Sequence, residues 1–140
     1  YLAMAIPLAR NLGIDGPRLS ISETPKSASS DRQQREASLL QATVPSGHGI
    51  ILLDERGKNM TSRALSSLIM KYRDEGGPGL SFLIGGADGF DQSLRQGHPQ
   101  VVQTLSFGAA TWPHLLCRVM LAEQIYRAMT ILAGHPYHRE

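Results

Sequence analysis

The chain of 140 residues is 41% hydrophobic and 19% charged, and its 14 lysines and arginines against 12 acidic residues give a formal net charge of +2. This length suits one domain with a hydrophobic core, and so small a charge neither requires nor excludes a nucleic-acid partner. The single cysteine excludes an intrachain disulfide. No apolar run approaches the ~18 residues of a membrane-spanning helix, and no secretory leader is visible. We therefore expect a cytoplasmic protein.

Helix and strand patterns alternate along the whole chain. In order, the sequence predicts a helix at 1–12, a strand at 18–23, a helix from Asp31 to about Ala42, a strand at 49–54, a helix that begins at Thr61 or Ser62 and stops at Gly76, a strand at 80–85, a short helix at 92–95, a strand at 101–107 and a helix from Pro113 to about Leu132. The unbroken apolar strands are typical of a parallel sheet. We therefore expect a single α/β domain over 1–140, with helices on both faces of the sheet.

Three loops follow predicted strands, where ligands bind in parallel α/β sheets. They are 54–58, 85–89 and 108–112, read as DERGK, GGADG and GAATW. The first loop could also be a solvated charged turn, and the glycines of the second could serve only a tight turn. The second loop matches neither a G-x-G-x-x-G motif nor a P-loop, and no Gly-x-Ser-x-Gly or Cys-His-Asn pattern supports a hydrolase triad.

The last predicted helix has apolar residues almost all round. This pattern implies burial on several sides, which in so small a chain favours a subunit interface. Glu123 and Arg127 lie four residues apart on this helix. The spacing predicts an ion pair, which at a helix surface would contribute only about 0.3–0.5 kcal/mol.

The chain ends in GHPYHRE, residues 134–140, called here the tail. His135 and His138 suggest a metal pair, but only Cys117 and scattered carboxylates could complete a four-ligand zinc site, so we expect no metal. A frayed end is the other interpretation. Pro136 and Tyr137 weigh against it, because one stiffens the backbone and the other offers packing area.

Five phrases occur in order between Gly49 and Glu140: LLDERGK, IGGADG, TWPH, RVMLAEQIYRA and GHPYHRE. Together they resemble the ribosomal RNA large subunit methyltransferase H family of the SPOUT class, and from Arg18 to Ser46 the resemblance is looser. The resemblance implies a C-terminal trefoil knot, a homodimer and S-adenosylmethionine as cofactor. It also implies methylation of N3 of a pseudouridine in helix 69 of 23S ribosomal RNA, within the assembled ribosome.

The resemblance also assigns site residues, which we carry over motif by motif. The implied cofactor residues are Leu53, Gly85, Phe107, Gly108, Ala109, Ala110, Thr111 and Trp112. In the family the tail lies near the cofactor of the other subunit. There His138 would remove the N3 proton or orient the base, Arg139 would hold the RNA backbone or stabilise the imide anion, and Tyr137 would stack on or hydrogen-bond the base. Arg127 would support the tail or bind RNA.

Two other interpretations stay open at this point. One is a ribosome-binding or assembly protein that keeps the fold without catalysis, and the other is a SPOUT enzyme with a different RNA target. The intact tail favours an enzyme, since a pure binder has no evident need for it. The family also begins with a strand and a Gly-containing loop ahead of the helix at 1–12. Either the natural protein is longer than the present sequence and supplies them, or the sheet lacks one strand.

Overall fold

A computed structural model describes residues 1–21, 32–85, 90 and 92–139. Its elements are α1 (Leu2–Asn11), α2 (Arg32–Thr43), β1 (Gly49–Asn59), α3 (Ser62–Asp74), β2 (Leu80–Ile84), α4 (Gln92–Arg95), β3 (Val101–Ser106) and α5 (His114–Ala133). The predicted helices are therefore confirmed within a few residues. The predicted cap Asp31 lies outside the described residues.

The three described strands form one parallel sheet in the order β2-β1-β3. Ile51 of the central strand pairs with Phe82 of β2 and with Gln103 of β3. The prediction of a parallel sheet is confirmed, and it makes the carboxyl ends of the three strands meet at one edge.

Alternate residues of β1 point into two separate cores. Ile51 packs with α1, α3 and α5, while Ile50 and Leu52 pack with Leu94 of α4 and with Phe90. Complete burial of such a side chain contributes about 1.5–3 kcal/mol. Helices thus cover both faces of the sheet, as expected from strands without polar alternation.

The two long helices of the carboxyl-terminal half have recognisable ends. Thr61 caps α3, because its hydroxyl oxygen accepts a hydrogen bond from the backbone N–H of Ala64 at 3.0 Å. Helix α5 begins after Pro113 and ends at Gly134, whose φ of +71° is a left-handed conformation that glycine adopts without strain. Among the helices of the described residues, none is both long enough and apolar enough to cross a membrane.

The strand predicted at 18–23 is wrong where the structure describes it. Residues 18–21 form no strand, and Leu19 and Ile21 are 57% and 60% exposed. The alternating pattern therefore does not bury an apolar face against a sheet, and Arg18 instead pairs with Asp15 at 2.9 Å. Residues 22 and 23 lie outside the described part of the chain.

The first predicted loop, 54–58, is also wrong, because β1 continues through it to Asn59. Leu53 and Lys58 both pair with Leu105 of β3, so the four residues between them form an irregular excursion within the strand. Gly57 makes this path possible. A Cβ atom there would lie 2.7 Å from the backbone carbonyl of Thr104, too close for any other residue.

Candidate active site

The carboxyl ends of the strands bring three of the implied cofactor residues to one edge of the sheet. Leu53 pairs with Ile84 on one side and with Leu105 on the other. Gly85 directly follows Ile84, and Phe107 comes two residues after Leu105. The strand-end rule and the family motifs therefore select the same edge. Residues 86–89 of the second predicted loop lie outside the described residues.

Asp54 is a buried carboxylate at this edge that the sequence did not single out. Its side chain is only 2% exposed, and its two oxygens accept hydrogen bonds from the Arg56 guanidinium at 2.9 and 2.8 Å and from the Arg56 backbone N–H at 2.9 Å. The Arg56 hydrogen bond holds the pKa of Asp54 below its usual value, against the opposing effect of burial. The backbone N–H of Phe90 also bonds Asp54. Asp54 thus ties β1 to the chain that follows the second loop.

The third loop is held by the buried hydroxyl of Ser106. This oxygen accepts the backbone N–H of Gly108 at 3.0 Å and lies 2.9 Å from the carbonyl of Gly108 and 3.2 Å from that of Glu55. Gly108 has a φ of +108°, and the position that a Cβ would occupy has no heavy atom within 4 Å. The loop therefore presents bare backbone to open space. The indole N–H of Trp112 folds back toward the carbonyl of Phe107 at 3.4 Å.

The rest of this loop faces outward. Ala109, Ala110 and Thr111 are exposed, and the Thr111 hydroxyl lies 3.5 Å from the Glu55 carboxylate. A cavity of about 240 Å³ lies nearby, lined by Tyr1, Phe107, Val119, Met120, Glu123 and Gln124. It includes only Phe107 of the implied cofactor residues, and it is smaller than the ~300–1,000 Å³ of common ligand pockets.

The tail packs against α5. The Tyr137 hydroxyl donates to the Glu123 carboxylate at 3.1 Å. Its ring meets that of Tyr126 edge-on at 4.8 Å between centroids, and the Arg127 guanidinium lies 4.8 Å from its centre. Burial, with the bond to Glu123, raises the pKa of Tyr137. Tyr137 is therefore docked on α5, which contradicts a frayed end.

Arg127 connects the helix to the tail. Its Nε and Nη2 donate to one oxygen of Glu123 at 2.9 and 2.6 Å, and its Nη1 lies 3.1 Å from Nδ1 of His138. The predicted ion pair is thus confirmed, but its side chains are only 23% and 17% exposed, so it is not an ordinary surface pair. The Glu123 hydrogen bond raises the pKa of Arg127. Sequence reasoning gave Glu123 no part in the site, although its i,i+4 spacing to Arg127 was the available signal.

The implied catalytic residues therefore lie close together, and all but Arg139 are partly buried. Tyr137, His138 and Arg127 form one partly buried cluster, whereas Arg139 is exposed. Nδ1 of His135 accepts the backbone N–H of Tyr137 at 3.2 Å and belongs to the turn of the tail. In the described part of the chain, no group of three or more His, Cys, Asp or Glu residues is placed to hold a metal ion.

Helix α5 is buried along only part of its length within one chain. Its buried residues all lie from Leu121 onward: Leu121, Tyr126, Ala128, Met129 and Thr130. In the first half Leu115, Leu116 and Val119 are 67%, 43% and 54% exposed, and the preceding Trp112 is 41% exposed. Exposed apolar residues grouped in this way are typical of interaction surfaces.

The chain matches known proteins over almost its whole length. The family model described as "Predicted SPOUT methyltransferase" matches residues 10–138. Proteins called ribosomal RNA large subunit methyltransferase H from Hyphomonas neptunium and Rhodopseudomonas palustris are 48% and 49% identical over 139 and 140 residues, covering 99% of this chain and 85% and 86% of theirs. A third, from Xanthobacter autotrophicus, is 45% identical and covers 99% of this chain and 86% of its own. The chain therefore belongs to the SPOUT methyltransferase family, and within it to the group of ribosomal RNA large subunit methyltransferase H.

Proposed function

We propose that this protein is a cytoplasmic, homodimeric methyltransferase that transfers a methyl group from S-adenosylmethionine to N3 of a pseudouridine in helix 69 of 23S ribosomal RNA, within the assembled ribosome. The names of its relatives support large-subunit ribosomal RNA as the substrate. The LLDERGK, IGGADG, TWPH and GHPYHRE motifs support the finer assignment. The docked tail is the observation that carries the catalytic interpretation, because it gathers Tyr137, His138 and Arg127 around Glu123.

The residues at the strand ends fit the proposed cofactor. Adenosine requires apolar surface and backbone hydrogen-bonding groups, and Leu53, Gly85 and Phe107–Trp112 provide both. The open space beside Gly108 admits a ligand to the backbone there. When bound, S-adenosylmethionine supplies an electrophilic methyl on a sulfonium that is its own leaving group. The protein then needs neither a nucleophile nor a metal.

The protein's own side chains have two tasks, which are to orient the base and to stabilise its charge. Pseudouridine N3 lies between two carbonyl groups, so loss of its proton spreads negative charge over both oxygens. The exposed guanidinium of Arg139 is suited to donate to such an oxygen or to a phosphate. Tyr137 offers an aromatic face for an unpaired base. The geometry of Arg127 supports its role in holding the tail rather than in binding RNA.

The proposed dimer assigns an occupant to the apolar patch of α5. A second copy would cover Leu115, Leu116 and Val119, which are exposed in one chain. In this arrangement the tail of one protomer would reach the cofactor loops of its partner.

A labelling assay tests this function. The protein is incubated with methyl-labelled S-adenosylmethionine and either intact ribosomes or free 23S ribosomal RNA, both from cells that lack the modification. We expect label only with ribosomes, and a reverse-transcription stop in helix 69, because N3 lies on the pairing edge of the base. Label elsewhere in the RNA would indicate a SPOUT enzyme with another target. No label in any RNA would leave a ribosome-binding protein without catalysis.

A further inference from the structure

We propose that Glu123 and Arg127 are positioning residues that hold His138 in one neutral tautomer, with the ring proton on Nε2, so that His138 anchors the tail and does not accept the proton of the substrate nitrogen. This inference rests on the proposed function and assigns the roles within its site. Of the two roles that the family motifs leave open for His138, it excludes removal of the N3 proton.

Glu123 organises the tail through a single carboxylate oxygen. Oε1 accepts hydrogen bonds from Nε and Nη2 of Arg127 and from the hydroxyl of Tyr137, at 2.9, 2.6 and 3.1 Å. Its other oxygen accepts from Gln124 at 3.0 Å, and Gln124 in turn accepts from Ser62 of α3 at 2.6 Å. The tail is thus connected through one acidic side chain to two helices. A network with so little exposure fixes its members more firmly than a solvated pair.

The chemistry of arginine determines the tautomer of His138. Guanidinium nitrogens only donate, so the 3.1 Å contact between Nη1 of Arg127 and Nδ1 of His138 requires an unprotonated Nδ1 that accepts. In the neutral ring the proton must then be on Nε2. Arg127 cannot turn away easily, because two of its other nitrogens are bound to Glu123.

The tautomer limits what His138 can do in catalysis. Its Nδ1 lone pair is occupied by Arg127, and Nε2 already carries the proton and is buried in the chain. Neither nitrogen can take up a further proton while this arrangement lasts. The N3 proton would then leave to solvent water. The N3 lone pair would next form a bond to the methyl carbon, while the bond from that carbon to the sulfonium sulfur breaks and its electron pair stays on sulfur. Arg139, next to His138 and exposed, faces the substrate in this account.

Nuclear magnetic resonance of the histidine side chains tests the tautomer directly. The chain has five histidines, and His138 is assigned by the signals that disappear in His138→Gln. We expect acceptor-type Nδ1 and protonated-type Nε2 shifts for His138 in the wild-type protein. Glu123→Gln and Arg127→Lys should give averaged shifts, because the fork that holds Nδ1 is lost. A wild-type His138 with its proton on Nδ1 would overturn the proposal.

The matched control is Glu75→Gln. It removes an i,i+4 pair between Lys71 and Glu75, which are 74% and 66% exposed and 3.9 Å apart. Neither residue belongs to the tail network. The control should leave the His138 signals unchanged. If Glu75→Gln altered them as much as Glu123→Gln does, the shifts would report helix stability and the proposal would fail.

Single-turnover methyl transfer tests the role in catalysis. Glutamine at position 138 can accept from Arg127 and donate like an Nε2–H group, but it cannot act as a base. We expect His138→Gln to stay within about tenfold of the wild-type rate and His138→Ala to lose on the order of 100-fold, the size of a positioning error. An equal, large loss in both variants would make His138 the proton acceptor, and wild-type rates in both would show that His138 does not anchor the tail for catalysis. A wild-type protein that transfers no methyl group would overturn the proposed function. The nuclear magnetic resonance spectrum of His138 would still show whether Arg127 holds its ring in the proposed tautomer.

Discussion

Asp54 shows how a single residue can be misread from sequence. It opens the run DERGK, whose four charged residues indicate a solvated turn, yet its side chain is 2% exposed and is bonded by Arg56. Burial depends on the neighbouring strands, which a local pattern does not contain. The same holds for Glu123, because the i,i+4 spacing predicts its pairing with Arg127 but not the approach of the tail. The sequence could thus predict that these charged side chains form ion pairs. It could not predict their burial or the further residues that bond to them.

The lowered pKa of Asp54 has a consequence for acid stability. A carboxylate with a folded pKa below its unfolded value of ~3.9 contributes stability above that pH, and this contribution is lost as the pH falls through the folded value. We expect Asp54→Asn to have a lower free energy of unfolding at pH 7, by about 1–3 kcal/mol, and the two proteins to converge below pH ~4. Urea unfolding across this range measures the difference.

Asp74 provides the control for that comparison. It pairs with Arg73 at 3.0 Å, but its side chain is 58% exposed, so Asp74→Asn should leave the curve within about 0.5 kcal/mol of the wild type. Parallel stability curves for Asp54→Asn and the wild-type protein would contradict the assignment of a lowered pKa to Asp54.

At the scale of elements, apolar periodicity predicted most of the structure. The strands at 49–54, 80–85 and 101–107 and the helices around them were found because their own side chains form the cores. The strand at 18–23 was wrong because alternation needs a sheet to bury one face, and the extension of β1 was missed because backbone pairing with β3 sustains it. Pairing between distant segments leaves no local pattern to detect.

Gly57 is the residue on which that extension depends. In Gly57→Ala the new Cβ would lie 2.7 Å from the carbonyl carbon and oxygen of Thr104, which are backbone atoms with little freedom to move. We expect a loss of about 1–3 kcal/mol in the free energy of unfolding. The displaced end of β3 should also weaken cofactor binding in calorimetry.

Gly76→Ala separates steric clash from backbone strain. Gly76 has a φ of +82°, and its Cβ would meet no atom within 4 Å, so this substitution adds strain without a clash. It should lower stability and leave cofactor binding unchanged. Unaltered stability and binding in Gly57→Ala would mean that the close approach to Thr104 is not required.

At the scale of the whole molecule, the sequence predicted that α5 is apolar on most sides. It did not predict which part of the helix is buried within one chain and which part is exposed. One chain buries residues of the helix from Leu121 onward and exposes Leu115, Leu116 and Val119 before it. Family membership implies the trefoil knot, which no periodicity argument reaches, since knotted connections are nearly absent among folds. Composition and pattern therefore predict the layers and an apolar helix surface, whereas the knot is implied only by the family.

The exposed apolar residues at the start of α5 are expected to form the dimer interface. Val119→Lys places a charge in an apolar contact, so we expect light scattering at micromolar concentration to show a dimer for the wild-type protein and a monomer for the variant. Ser67→Lys, on an exposed position of α3, should stay dimeric. A dimeric Val119→Lys protein or a monomeric wild-type protein would argue against this surface.

Complementation between two inactive variants is the most direct test of a methyl-transfer site shared by two protomers. One variant, Gly85→Val, blocks the proposed cofactor loops, and the other, Arg139→Ala, disables the tail. If each tail serves its partner, the purified heterodimer has one intact site of two and should recover about half of the wild-type rate on ribosomes. A heterodimer no more active than either parent homodimer would contradict the shared site.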